Sequence, residues 1–355
     1  MAPGLVDVAL NELRELARRL KRLTPVTAER DDAIVVDWSG DPRDLHALRT
    51  VQSVARVWRF AVPRPKALLG DAALRALLTG LRALRTAAEP ARFSALRLSA
   101  AGRESPVMQR LAQALAEGLE LPLRADGDLL VRLRPAAEGG WEVLARTTPR
   151  PLTVRPWRVC DRPGGLDTGL AAALVRLAGV HPNERVCNPM LGSGTLLIER
   201  ALAGPAACLH GFDLDPAALA CAERNAAAAG VGERLRLWRA DAAAPSQDAG
   251  GAPPDPAGDG ARAPSTRYDL LLVDPPWGDA VGEHAANATL YAALLTSLAR
   301  LAVKGGRLVF VTHEVRLTER LLSGHPAWRL HHQRRVWQGG HQPLCLLLER
   351  LPGSV

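Results

Sequence analysis

Between Arg185 and Thr312 short apolar runs alternate with helical patterns, and this alternation limits the architecture more than any other feature of the 355 residues. Arg185-Val186-Cys187 leads into Gly192-Ser193-Gly194-Thr195 and a helix to about Leu202. Cys208 to Phe212 precedes a helix from Pro216 to about Ala229, and Leu235 to Trp238 is a third apolar run. Tyr268 to Val273 is a fourth, followed by a helix from about Thr289 to Ala302, and Arg307 to Thr312 is a fifth. Strands separated by helices are joined by crossovers, which predicts a mostly parallel sheet with helices on both faces. Arg329 to Trp337 and Leu344 to Arg350, separated by Gly339-Gly340, predict an antiparallel hairpin on the sheet edge.

The first 150 residues read differently. Val6, Leu10, Leu13, Leu16, Ala17, Leu20 and Leu23 follow helical spacing. A strand at Ile34–Val36, a helix from about Pro42, a strand from Val57 to Val62, a leucine-rich helix over Gly70–Leu84 and a strand from Phe93 to Ser99 follow. Ser105-Pro106 supplies an N-cap and a first-turn proline for a helix to about Gly118. In the run Leu129 to Arg134 an inward apolar set alternates with an outward set that includes Arg132 and Arg134, and a last strand covers Trp141–Arg146. The expected organisation is an α+β subdomain of ferredoxin-like type over 1–60, an α+β domain over 61–148, and a proline-rich extended linker over 149–165. An α/β domain over 166–355 completes it. That domain carries a mobile surface insertion at about 242–267, nearly all Ala, Gly, Pro, Asp and Ser.

Composition narrows the function classes. No apolar run reaches the 18 residues of a membrane span, and Met1 to Leu20 lacks a signal-peptide apolar core. The five cysteines, at 160, 187, 208, 221 and 345, are odd in number and form no CxxC pair. A disulfide framework and a zinc site are therefore disfavoured, no metal is expected, and a reducing cytoplasm is the default. The net charge of +8 resides mostly in residues 1–150, with 24 Lys and Arg against 18 Asp and Glu. Such a balance suits a phosphate-rich partner. Lys66, Arg97, Arg132 and Arg134 are the candidate phosphate contacts, each of which would also fit a solvated charged face.

Four segments carry chemistry. Asn188-Pro189-Met190-Leu191-Gly192-Ser193-Gly194-Thr195 lies between a strand and a helix, where glycines and free N–H groups admit a polar or anionic ligand end. It lacks the ending of a phosphate-binding P-loop. Asp213 ends the next strand, where an acid can accept both hydroxyls of a ribose, and Asp241 ends the third, where it could accept from an adenine amine. Asp215-Pro216 reads as a helix cap. Asp274-Pro275-Pro276-Trp277 directly follows the strand Leu270–Val273. Its prolines free the Pro275 carbonyl from regular pairing, so that carbonyl and Asp274 offer two acceptors beside the plane of Trp277. That set fits a flat exocyclic amine: guanine, adenine or an amide.

These segments resemble motifs I to IV of class I S-adenosylmethionine-dependent methyltransferases, and Arg162-Pro163-Gly164-Gly165-Leu166 is similar to motif X. The Asp-Pro-Pro-Trp form belongs to those that methylate exocyclic nitrogen. The region around Phe93–Ser99 and Ser105–Leu115 resembles a THUMP domain, an RNA-binding module, and the whole resembles THUMP-containing tRNA guanine-N2 methyltransferases. The resemblance implies a Rossmann-like domain of seven strands with an antiparallel edge hairpin, preceded by the THUMP-like domain. It further implies S-adenosylmethionine held by Gly165, Asn188, Pro189, Gly192, Gly194, Thr195, Asp213, Leu214 and Asp241, catalysis by Asp274, Pro275, Pro276 and Trp277, and a monomer acting on RNA. Asn188 departs from the acid usual at its position, so its contact to the methionine amine lacks charge assistance. Ribosomal RNA in place of tRNA, a DNA or protein-glutamine methyltransferase, an NAD-dependent dehydrogenase, and an RNA-binding protein with a degenerate pocket remain as alternatives.

Overall fold

In the computed structural model the described residues are 1–22, 25–88, 93–243, 267–276, 283–337 and 340–353. The expected insertion falls largely outside them, as does Trp277. The chain opens with α1 (Val6–Arg19), β1 (Val26–Arg30), β2 (Ala33–Val36), a 3-10 turn (Pro42–Ala47), β3 (Ala55–Phe60) and a second 3-10 turn (Pro65–Leu69). Then come α2 (Asp71–Ala87), β4 (Leu96–Ala100), α3 (Pro106–Leu119), β5 (Leu129–Pro135) and β6 (Trp141–Arg146). The second half holds α4 (Thr168–Ala178), β7 (Arg185–Asn188), α5 (Thr195–Ala203), β8 (Cys208–Asp213), α6 (Pro216–Ala228) and β9 (Leu235–Arg239). It ends with β10 (Tyr268–Val273), α7 (Glu283–Leu301), β11 (Ala302–Thr312), α8 (Val315–Leu322), β12 (Trp328–Arg335) and β13 (Leu344–Arg350).

These elements form two compact units, one of Met1–Arg14, Val26–Val35 and Val154–Val355, the other of Glu15–Pro25 and Val36–Thr153. The division corrects the expected boundaries. A break between residues 60 and 61 is ruled out because β3 pairs with β6 along its whole length, from Ala55 opposite Arg146 to Phe60 opposite Trp141. Nor do residues 155–165 behave as a linker. Arg155 and Trp157 are buried, and the Arg155 guanidinium meets the buried Glu199 carboxylate at 3.0 Å. Proline content set the backbone of this segment, but two side chains anchored it.

In the smaller unit the sheet order is β3-β6-β5-β4, with β4 parallel to β5 and the other pairs antiparallel. Leu77, Leu81 and Leu84 of α2 and Leu111, Leu115 and Leu119 of α3 pack on Leu96, Leu129, Val131 and Val143, so both helices cover one sheet face. Helix α3 starts as its sequence dictates: Ser105 adopts an extended conformation, its Oγ accepts from the Met108 N–H, and Pro106 opens the first turn.

The larger unit is built on a seven-stranded sheet in the order β12-β13-β11-β10-β7-β8-β9. Only β13 runs against its neighbours. Helices pack on both faces, since the central strands are apolar on both sides, as parallel strands must be. Val186, Leu270, Leu272 and Val309 face one core, and Cys187, Leu271, Val273 and Phe310 face the other. A largely buried three-membered ionic cluster lies in this unit. Glu184, 4% exposed, joins the fully buried Arg200, at 2.8 Å, to Arg307. Arg200 also donates to the carbonyls of His181, Gly204 and Pro205.

Candidate active site

Strands β11, β10, β7, β8 and β9 are mutually parallel, so their carboxyl ends share one edge of the sheet. The chain fills this sheet in opposite directions from β7, through β8 and β9 on one side and β10 and β11 on the other. The crevice at such a reversal is where open α/β sheets bind ligands. Asn188 closes β7 and Asp274 follows β10, one on each side of it.

Asn188 is 1% exposed, and its Nδ2 donates to the Leu272 carbonyl at 2.5 Å, tying β7 to β10 two residues before Asp274. A carbonyl can only accept, so the amide nitrogen must face it and Oδ1 turns the other way. Among the described residues that buried Oδ1 has no hydrogen-bond partner. Leaving an acceptor so costs about 1–3 kcal/mol, a cost that a ligand donor would remove.

The turn after β7 is pinned to the end of β8. Leu191 N–H donates to the Phe212 carbonyl, and Gly192 N–H donates to Asp213 Oδ2 at 2.8 Å. Asp213 Oδ1 accepts the Asp215 N–H, and its carbonyl accepts from Ala240, which draws the end of β9 alongside. Gly192 and Gly194 have φ of +55° and +81°, a region that favours glycine. A side chain at Gly192 would meet nothing within 4 Å, so the backbone there borders open space. At Gly194 a Cβ would press to 3.0 Å on Ala222. Thr195 is buried, its Oγ1 3.0 Å from Ser193 Oγ. Leu214 is 56% exposed beside Asp213, an apolar side chain held in solvent just past the carboxyl end of β8. Asp241 Oδ1 accepts the Ala243 N–H in the loop after β9.

The segment that carries Gly165 is held over α6. Arg162 Nη2 reaches the Asp215 carboxylate at 2.5 Å, and Arg158 Nη1 donates to the Leu166 carbonyl. A Cβ on Gly165 would collide with Arg158 Nη2. Asn225 accepts from Cys160 N–H and donates to the carbonyls of Cys160 and Ser193, coupling this segment to the glycine turn. Cys160 and Cys221 form a disulfide with Cα atoms 5.5 Å apart, against the expectation drawn from cysteine spacing. The two cysteines lie 61 residues apart, and the fold rather than the spacing brings them together.

Asp274 is half-buried, Pro275 buried and Pro276 exposed. The corner is backed by Tyr291, which is fully buried in α7. Its hydroxyl lies 3.5 Å from the Pro276 carbonyl and 3.2 Å from Thr312 Oγ1. Burial pushes the Tyr291 hydroxyl up to about 12, and the carboxylates of Glu314 and Asp274 act in the same direction. Tyr291 and Asn225 escaped the sequence reading. Each left a faint signal, a polar-tipped aromatic in an apolar helix and an asparagine in the middle of an alanine-rich one.

In the smaller unit Arg97 and Arg132 are exposed on adjacent strands, on the face away from α2 and α3. Arg134 lies on that face too, but its Nε is committed to Glu142, which also takes Arg59. Lys66 is exposed on the 3-10 turn before α2 and not on the sheet. Among the described residues no group of His, Cys, Asp and Glu could hold a metal ion, and no helix is long and apolar enough to cross a membrane.

The family model for UPF0020, an RMKL-like methyltransferase domain, matches residues 155–252 and 256–343. The chain belongs to this methyltransferase family. It is 33% identical over 251 residues to a tRNA (guanine(6)-N2)-methyltransferase of Thermus thermophilus, covering 69% of this chain and 68% of that one. A protein of the same name from Archaeoglobus fulgidus is 26% identical over 188 residues, 46% of this chain and 43% of its own. Among solved structures, TrmN from Thermus thermophilus superimposes with a TM-score of 0.71 at 27% identity, over 99% of this methyltransferase and 98% of TrmN. The larger unit thus has the class I methyltransferase fold, and the expected seven-stranded sheet with its antiparallel element is present.

Proposed function

We propose that this methyltransferase transfers a methyl group from S-adenosylmethionine to the exocyclic N2 of a guanosine in tRNA. The observation that carries the reading is the line of polar groups along adjacent strand ends, Asp241, Asp213, Asn188 and Asp274, with the last two astride the switch point. The relatives named for tRNA guanine-N2 methylation supply the substrate class.

The residues present fit the cofactor. Asn188 Oδ1 is a buried acceptor in need of a donor such as the methionine ammonium. Asp213 is positioned by two backbone N–H groups with its remaining lone pairs open to ribose hydroxyls, and Leu214 offers an apolar wall. Gly192, Gly194 and Thr195 shape the turn that admits the ligand, with Pro189 in the same turn and Gly165 across from it. When bound, S-adenosylmethionine supplies an electrophilic methyl carbon.

Asp274 and the Pro275 carbonyl orient the nucleophile. The guanine amine is weakly nucleophilic because its lone pair is delocalised into the ring. Accepting both of its N–H groups favours a tetrahedral nitrogen with the lone pair directed at the methyl carbon. Orientation of this kind can lower a barrier by about 7–11 kcal/mol in favourable cases. Trp277 would stack on the base, worth about 1–3 kcal/mol. Reaching the base edge requires extrusion from its stem. Arg97 and Arg132 would hold phosphates from the THUMP-like unit, with Lys66 and Arg134 as lesser contributors.

Incubation with labelled S-adenosylmethionine and separate pools of tRNA, ribosomal RNA, DNA and protein tests the assignment. Label should enter tRNA and digest to N2-methylguanosine; label confined to any other pool overturns it. Asn188→Asp provides a finer check. Its carboxylate would face the Leu272 carbonyl and lower the melting temperature of the free protein, yet strengthen the ammonium contact about tenfold by charge assistance. Calorimetry and thermal melting should show these opposite signs.

A further inference from the structure

The sheet of the larger unit ends in β12, an edge strand of sequence Trp-Arg-Leu-His-His-Gln-Arg-Arg that carries no acidic residue. Edge strands are commonly charged to prevent pairing, and two of the arginines here are paired with acids. Arg334 holds Asp7 and the Gly4 carbonyl, and Arg329 holds Glu349. Arg335 is exposed, with no ion pair or side-chain hydrogen bond among the described residues. Two residues on, Trp337 is 47% exposed while its backbone N–H is tied to the Pro3 carbonyl. The indole is thus held in solvent on an anchored backbone, next to a guanidinium unpaired among the described residues.

Register places this pair at the reacting end of the sheet. Arg335 lies opposite Leu344, Leu344 opposite Thr312, and Phe310 opposite Val273, the residue before Asp274. Arg335 and Asp274 therefore emerge from the same edge, three strand spacings or about 14 Å apart. That is the length of about four nucleotides at a ~3.4 Å rise. His313 and His341 lie at the same end, their rings 5.4 Å apart and near perpendicular.

We propose that Arg335 and Trp337 grip the RNA strand flanking the target nucleotide, Arg335 through a phosphate and Trp337 by stacking under an unpaired base. The inference rests on the RNA reading of the active site. It assigns the catalytic unit its own nucleic-acid contact, separate from the arginines of the smaller sheet.

The test uses the full chain and an unmodified tRNA transcript that the wild type methylates. Loss of one phosphate contact in Arg335→Gln should weaken binding and reduce the slope of log affinity against log salt by about one. Trp337→Ala should weaken binding about tenfold with the slope unchanged, and Trp337→Phe should restore it. In both weakened variants the change should fall on KM for tRNA rather than on kcat, with S-adenosylmethionine affinity as in the wild type by calorimetry. Wild-type affinity and slope in Arg335→Gln and Trp337→Ala, from a protein that methylates tRNA, would overturn this surface and leave the activity standing. A wild type that binds no RNA overturns both.

Discussion

Asp274→Ala should reduce methyl transfer by about 10³-fold or more while S-adenosylmethionine still binds. The carboxylate is assigned to the amine of the base and not to the cofactor, so its removal takes away an interaction that matters most as the nitrogen turns tetrahedral. Loss of one preorganised group aimed at a developing charge typically costs about 10²–10³ in kcat. Here Asp274 is also one of only two acceptors that orient the nucleophile, which places the effect at or beyond the upper end of that range. Single-turnover transfer to tRNA and calorimetric titration of cofactor are the paired measurements. Equal loss in both would move Asp274 into the cofactor site and remove the mechanism described above. The buried Tyr291 behind the corner is one reason a small substitution should not collapse it, because the Pro276 carbonyl and Thr312 continue to hold the loop.

The largest effect on stability is expected at Glu184. Its two carboxylate oxygens meet Arg200 and Arg307, and Arg200 is fully buried. Glu184→Ala leaves that guanidinium with carbonyl acceptors but no counter-charge. Breaking a buried pair by removing one partner costs about 3–5 kcal/mol, because the stranded charge keeps its desolvation penalty. Urea unfolding should therefore show a midpoint lowered by roughly 2 M, taking a slope of about 2 kcal/mol/M. A shift below about 0.5 M would mean that the three backbone carbonyls around Arg200 already carry the charge. The site lies at the amino end of β7, opposite to the end that holds Asn188, so cofactor affinity of the folded variant should be little changed.

The catalytic sheet is legible in the sequence for a local reason. Each strand from β7 to β11 contains a short, mostly apolar run closed by a turn or a cap, and the crossover rule leaves little freedom in assembling such units. The caps of α3 and α6 are visible residue by residue, since Ser105-Pro106 and Asp215-Pro216 act on N–H groups within three residues of themselves. Strand β1 and helix α8 are not. The first is a short polar strand, Val-Thr-Ala-Glu-Arg, and the second has only eight residues, too few for periodicity to register. The boundary at residue 60 failed because strand pairing is not local: β3 reaches β6 across about 80 intervening residues. The proline-rich segment misled for the opposite reason. Backbone stiffness is legible in a sequence, whereas burial of Arg155 against Glu199 is not.

The sequence by itself determined which residues are chemically able to serve: the acids and amide at strand ends, the glycines that permit positive φ, and the diproline corner. Those depend on side-chain type and on the few neighbours that set local backbone. Tertiary structure alone decided what each of them faces. Asn188 turning its nitrogen to Leu272 and leaving its oxygen bare, Cys160 meeting Cys221, Asn225 bridging two loops and Arg335 rising level with Asp274 all join residues that are far apart in the chain. Their energies come from contacts that exist only once the sheet has closed its register, and no short window of sequence contains both partners.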